Sequence, residues 1–243
     1  MELPGKIALV TGGAHRVGRE ITIALAHAGC HLAIHYHNSK KAAMDTASAA
    51  QALGVNATIF RADLRKVDQI EALFQLIDSK YGPLDILVNS AAIMKKVAFQ
   101  KADEDDWYNT INLNLKAPFF CIQKAAERMR INSAGAIVNI SDIAGLRPWR
   151  DYPIHSVSKA GLEMLTKVTA RAFAPEVRVN AVAPGPVLKP DEMSDARWQE
   201  LGGRLPVQRC GNASDVAQAV IFLLKNDFIT GETLVVDGGN QLI

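Results

Sequence analysis

The 243-residue chain is 49% hydrophobic and 21% charged, with a formal net charge of +2, the proportions of a folded protein with a filled core. No Lys/Arg run exceeds two residues and no apolar run is long enough to cross a bilayer, so neither a nucleic-acid face nor a membrane anchor is expected. Cys30, Cys121 and Cys210 are odd in number and far apart, which points to small core residues in a reducing cytoplasm and not to a disulfide framework.

Residues 7–10 form a short continuous apolar run, as a strand buried on both faces of a parallel sheet would. Gly12 and Gly13 follow at once, and Val17, Ile21 and Leu25 then recur at helical spacing, so the order is strand, turn, helix. Such a turn gathers backbone N–H groups at a helix N-terminus, which favours an anion such as a pyrophosphate. Gly12 and Gly13 permit a sharp turn and a close ligand, and Gly18 lets the helix pack on the strand. A plain turn without a ligand is the alternative that the glycines alone leave open.

Further along, strands are expected at 31–36, 56–61, 85–89, 136–140, 177–182 and 233–236. Helices are expected at 39–53, 67–81, 104–130 with a break near 114–118, 154–173 and 214–224. Strands alternating with helices predict an α/β chain with a Rossmann-type, doubly wound parallel sheet of about seven strands and helices on both faces. No linker or shift of composition divides the chain, so 1–243 reads as a single domain. The segment 184–209 departs from the rhythm with four prolines and three glycines. Following strand six at the carboxyl edge of the sheet, residues 186–209 read as a substrate lid, with a plain connection as the alternative.

The end of the second strand, Tyr36-His37-Asn38-Ser39-Lys40-Lys41, carries no acid. A carboxylate there would hold the ribose hydroxyls of NAD, whereas hydroxyl, amide and cationic groups suit a 2′-phosphate, so NADP(H) is the expected cofactor. Lys40 and Lys41 are phosphate contacts or simply an exposed helix start. The six histidines show no ligand spacing, and no metal is expected.

Nine short motifs occur in order. They are T-G-G-A-H-R-V-G at 11–18, H-Y-H-N-S at 35–39, A-D-L at 62–64, N-S-A-A at 89–92, N-L-K-A-P-F at 114–119, N-I-S-D at 139–142, S-K-A-G-L at 158–162, V-N-A-V-A-P-G at 179–185 and V-D-G-G at 236–239. On these the chain resembles the short-chain dehydrogenase/reductase family along nearly all its length, and within it the pteridine reductases, which are similar in carrying arginine at Arg16. The resemblance implies cofactor contacts from Gly12, Arg16, Val17, Gly18, Asn38, Ser39, Ser90 and Ala91, with His35 or His37 beside the 2′-phosphate. It implies Asp63 and Leu64 at the adenine edge, Asn89 in the cofactor groove, Lys159 on the nicotinamide ribose, and Pro184, Gly185 and Val187 along the nicotinamide. Arg16 would approach both phosphate and substrate, or else be a solvated charge on the first turn.

The resemblance also implies a proton relay of Asn114, Asp142, a tyrosine and Lys159, with His155 in the tyrosine's place four residues before Lys159. Three readings of that departure stay open. His155 donates the proton; Tyr152, seven residues before Lys159 and placed on its helix face, supplies a phenol; or His155 fills space at a lapsed site. Ile93 stands where the pteridine reductases stack a phenylalanine on the pterin, and it keeps apolar area without a flat face. Asp142 suits a guanidine or amide edge, or is an exposed loop acid. Trp107, Trp149 and Trp198 are packing or lid residues. The expectation is an NADPH-dependent oxidoreductase reducing a small ring carbonyl or imine, pterin-like at closest, with an NADP(H)-binding sensor or regulatory oligomer as the alternative. The resemblance also implies a homotetramer through 104–130, 154–173 and the C-terminal 235–243.

Overall fold

In the computed structural model, which describes residues 1–132 and 134–243, seven strands form one parallel sheet. They are β1 (Ile7–Thr11), β2 (His31–Tyr36), β3 (Ala57–Arg61), β4 (Ile86–Asn89), β5 (Gly135–Ile140), β6 (Val177–Pro184) and β7 (Thr233–Val236). Their spatial order is β3-β2-β1-β4-β5-β6-β7, and every neighbouring pair is parallel. Between β1 and β4 the order reverses, so the crevice beyond their carboxyl ends is the place where such sheets bind ligands.

The strands are apolar on both faces, and their side chains alternate between two cores. Ala8 and Val10 of β1 join the layer with α1 (Arg16–His27), α2 (Lys40–Gln51) and α8 (Ala213–Lys225). Leu9 faces the opposite layer, built from α3 (Val67–Tyr81), α5 (Ala117–Met129) and α6 (Pro153–Phe173). Ile21 and Leu25 of α1 and Val216, Val220 and Leu223 of α8 lie in the first core, while Ile70, Phe74 and Ile77 of α3 meet Cys121 and Ile122 of α5 in the second. Each such large side chain contributes roughly 1.5–3 kcal/mol by leaving water. Two further helices, α4 (Glu104–Ile111) and α7 (Asp195–Arg204), flank the crevice.

The expected break near 114–118 takes a particular form. A π-helical segment, Asn112–Lys116, joins α4 to α5 without interrupting the helical path. Pro118 at the second position of α5 lacks the donor an α-helix would need, and a π turn accommodates that. Residues 186–209 also differ from a plain excursion, since they contain α7, started by Ser194, whose hydroxyl accepts from Arg197 N at 3.3 Å. No helix is long and apolar enough to cross a membrane among the described residues.

Candidate active site

A cleft of about 1010 Å³ runs over the carboxyl ends of β1, β4, β5 and β6. Its floor at one end is the glycine turn after β1. Gly12 takes a positive φ of +64°, and a Cβ there would lie 2.9 Å from Ala91 Cα. A Cβ on Gly18 would come within 2.2 Å of the Gly12 carbonyl oxygen. The turn therefore admits backbone only, and a ligand can approach it closely. His15, which precedes α1, offers no side-chain cap, and no acid stands in the first turn. The helix thus keeps free N–H donors facing the cleft, whereas Asn212 and Asp215 close the start of α8 in a capping box. A pyrophosphate fits this uncapped end. Arg16 opens α1 at φ +55°, left-handed for a residue with a Cβ, at roughly 1–2 kcal/mol of strain. The residue is exposed and lines the cleft.

His35 borders the cleft, but neither ring nitrogen is free for a phosphate. It is buried, accepts from Gly12 N–H on Nδ1 at 3.0 Å and donates from Nε2 to the Ala62 carbonyl at 3.0 Å. Both ring nitrogens are satisfied only in the neutral tautomer, and burial pushes its pKa down to about 4. The unfolded ring protonates near 6.5, so between about pH 6.5 and 4 the unfolded chain binds a proton that the folded chain refuses. Stability from this group is full above that window and falls through it by on the order of 3 kcal/mol. Urea denaturation across the window is expected to show this loss, and His35→Gln is expected to flatten it; equal slopes for the two proteins would contradict the assignment.

Around the turn, His37, Asn38 and Ser39 line the cleft at the end of β2, and Val17, Ser90 and Ala91 line it beside the glycines. The backbone N–H groups of Ser90 and Ala91 donate to Thr11 Oγ1 at 3.0 and 3.1 Å, which ties the loop after β4 to β1. Asp63 and Leu64 also face the cleft. The Asp63 carboxylate is gripped by Arg65, Nε to Oδ1 and Nη2 to Oδ2, both at 2.9 Å, which holds its pKa down at about 2. Arg65 Nη1 also donates to Asn109 on α4 at 3.0 Å, so one guanidinium straps the cleft edge. Arg65 was missed in the sequence, although its position two residues after Asp63 was visible.

Two expected site residues lie outside the cleft wall. Asn89 is buried in the sheet, where its Nδ2 donates to Asn139 Oδ1 at 2.9 Å, and Asn139 in turn donates to Thr166 Oγ1 at 2.9 Å. It is a strut between β4, β5 and α6, not a groove residue. Asn114 lies behind the site: it accepts from Ile93 N and donates to Ile93 O, both at 2.9 Å, and donates to Ser158 Oγ at 3.1 Å. Asn114 thereby fixes Ile93 in the cleft wall.

At the chemical end, Asp142, Tyr152, His155 and Lys159 converge on the cleft. Asp142 uses Oδ1 to accept from Ala144 N at 2.7 Å, which leaves Oδ2 facing His155. His155 Nδ1 lies 3.2 Å from the Ile93 carbonyl and 3.4 Å from Asn114 Nδ2, while Nε2 is 3.5 Å from Asp142 Oδ2. That Nε2 is buried and makes no hydrogen bond. Lys159 is buried and donates to the Ile140 carbonyl at 2.7 Å. Burial pulls its pKa down to about 8, against the opposing charges of Asp142 and Glu163. Tyr152 is not on the helix face. It is the residue before Pro153, which disfavours helical backbone there, and with φ −134° and ψ 52° it caps α6 and packs edge-on against Trp149 at 5.8 Å.

Pro184, Gly185 and Val187 border the cleft beside Lys159, and Met193, Trp198 and Leu201 of the 186–209 segment form an apolar far wall with Trp149. Trp107 is largely exposed and does not line the cleft. No group of three or more metal-ligating side chains is gathered anywhere among the described residues.

A protein-family profile described as enoyl-(acyl carrier protein) reductase matches residues 12–241. The chain is similar to 3-oxoacyl-(acyl-carrier-protein) reductase FabG of Staphylococcus aureus, 36% identical over 239 residues that cover 96% of this chain and 97% of that protein. It is also similar to carbonyl reductase family member 4 of Danio rerio, 34% identical over 240 residues, covering 98% and 99% of the two chains. Among solved structures, a doubly substituted short-chain dehydrogenase/reductase of Serratia marcescens superposes with a TM-score of 0.91 at 31% identity, covering 98% of this chain and 99% of that one.

Proposed function

The chain belongs to the short-chain dehydrogenase/reductase family, and on that premise we propose that it is an NADPH-dependent reductase of a small ring carbonyl or imine. The observation that carries this reading is the unpartnered Nε2 of His155, buried in the cleft 3.5 Å from Asp142 Oδ2. With Nδ1–H turned to the Ile93 carbonyl, a neutral ring presents Nε2 as a lone pair toward a carboxylate. A protonated ring instead offers an N–H there, which a substrate oxygen or nitrogen can take. When bound, NADPH supplies the hydride. His155 supplies the proton at the heteroatom and Asp142 steadies the charged ring. Lys159, already held by the Ile140 carbonyl, would hold the nicotinamide ribose with its remaining N–H donors.

The choice of NADPH is supported by the acid-free end of β2. His37, Asn38 and Ser39 line the cleft there, Lys40 and Lys41 start α2, and Arg61 donates from Nε to the His37 carbonyl at 3.2 Å. Carbonyl chemistry is supported by the relatives, one named as a 3-oxoacyl-(acyl-carrier-protein) reductase and another as a carbonyl reductase family member. A pterin-type ring is supported by Asp142 and Arg16 but not by Ile93, which gives no flat face. Residues 186–209 act as the substrate lid, with Trp198 and Met193 as the side chains that meet the ring.

The test is consumption of NADPH or NADH with a panel of a 3-oxoacyl thioester, a quinone, a cyclic imine and a dihydropterin. One or two charge-assisted contacts to the 2′-phosphate are expected to favour NADPH about 10- to 100-fold. A preference for NADH would remove the cofactor assignment. Exposed Trp107, Tyr108 and Phe119 on α4 and α5, and Val157, Met164 and Val168 on α6, support a homotetramer, which sedimentation of the same preparation reads. A second reading, an NADP(H)-binding protein with a lapsed site, is favoured by the contact of His155 Nδ1 with Ile93 O, which suits a packing role.

A further inference from the structure

Glu163 lies one turn beyond Lys159 on α6, and positions four apart share a helix face. Its carboxylate is buried. Oε2 accepts from the Thr233 hydroxyl on β7, while Oε1 has no hydrogen-bond partner. A carboxylate oxygen stripped of water and left without a donor is costly unless a cation compensates it. The cation one turn back on the same helix face is Lys159, itself buried, whose charge both Asp142 and Glu163 favour without a direct ion pair, and His155 stands one turn earlier still. Lys159 has a single hydrogen bond, to the Ile140 carbonyl, which orients the amine but leaves its charge uncompensated.

We infer that Glu163 is a positioning residue for Lys159: its buried carboxylate keeps the amine an ammonium, directed across the cleft. This rests on the reductase reading only in giving that ammonium a cofactor to hold. The opposing charges have different standings. Asp142 also faces His155 and is available to substrate, whereas Glu163 lies out of the cleft wall and serves the lysine and β7 alone. Burial alone would drive the amine neutral, and the two acids oppose it.

Glu163→Gln tests this, because the amide oxygen still accepts from Thr233 while the charge is gone. The unfolded lysine titrates at 10.5 and the folded one at about 8. Between those values the unfolded chain holds a proton that the folded chain has released, so stability from this group climbs as pH rises through the window. In Glu163→Gln the climb is expected to begin about one pH unit lower. The alkaline loss of NADPH binding, followed by cofactor fluorescence, should move down with it. Thr233→Val removes the hydroxyl and keeps the charge, and it should leave both curves in place. Curves unchanged in Glu163→Gln, or displaced equally by Thr233→Val, would overturn the inference. Should Glu163→Gln not fold, Glu163→Met combined with Thr233→Val removes acid and hydroxyl together, and the same displacement is expected. Failure to turn over any substrate would sink the reductase reading and leave this one standing, since the stability curve reads Lys159 without substrate.

Discussion

Gly18→Ala is expected to weaken dinucleotide binding severely while leaving a folded but less stable chain. The added Cβ would stand 2.2 Å from the Gly12 carbonyl oxygen, and neither partner is a flexible side chain that can swing away. Relief requires α1 to slide off the turn, and α1 is packed through Ile21 and Leu25 into the core beneath. Overpacking of this kind costs on the order of 3 kcal/mol, which for a chain of this length is about 6–12 °C in melting temperature. The larger effect is on ligand affinity. The N–H groups at the start of α1 and the turn must point at one anion together, and a displaced helix loses several of these contacts at once. A fall in NADPH affinity of at least ~100-fold in calorimetry follows from losing two charge-assisted bonds. Gly203→Ala on α7 is the control, since nothing lies within 4 Å of the added carbon and alanine is the better helix former by roughly 1 kcal/mol. Equal NADPH affinity in the parent and Gly18→Ala would mean that the cofactor does not lie across this turn.

His155→Ala should separate the reductase from a protein that only holds NADP(H). If Nε2 delivers the proton, removing the ring lowers kcat/KM by about 10²- to 10⁴-fold, with NADPH affinity changed little because His155 stands at the substrate end of the cleft. The ring also touches the Ile93 carbonyl through Nδ1, so some thermal stability is lost whichever reading holds. The rate and the melting temperature must therefore be compared. His155→Tyr completes the test: a phenol four residues before Lys159 keeps a proton donor on the same helix face. Residual activity in both variants close to the parent would remove His155 from the chemistry. A large gain from zero on installing tyrosine would establish the lapsed-site reading.

Much of the scaffold was legible in the sequence because its causes are local. The apolar run 7–10, the glycines after it and the 3.6-residue recurrence in α1 each depend on near neighbours. Strand ends shifted by a residue or two, as at β4, which starts at Ile86, because pairing across the sheet sets where a strand begins. The site was less legible wherever a side chain's partner is remote in sequence. Asn89 looked like a groove residue, yet its partner Asn139 is fifty residues on, and only the parallel register of β4 and β5 brings the two together. The resemblance offered His35 or His37 as a phosphate neighbour. The work of His35 is to accept from Gly12 and donate to Ala62, which requires β1, β2 and the end of β3 to be in place. Tyr152 is a different case: Pro153 was in plain view, and its restriction on the preceding backbone argues against a helical tyrosine without any structure. The orphaned oxygen of Glu163 had no trace in the sequence, since helical spacing announces neighbours but not who lacks a hydrogen bond.

The placing of β1 in the middle of the sheet bears on how the chain leaves the ribosome. β1 pairs with β2 on one side and with β4 on the other, so once residues 1–61 have emerged three strands can order while one flank of β1 stays bare. That flank is closed only when residues 86–89 emerge, and until then it is an open template for another incomplete chain. Once β4 has paired, the open edge passes to β4 itself and stays there until residues 135–140 follow.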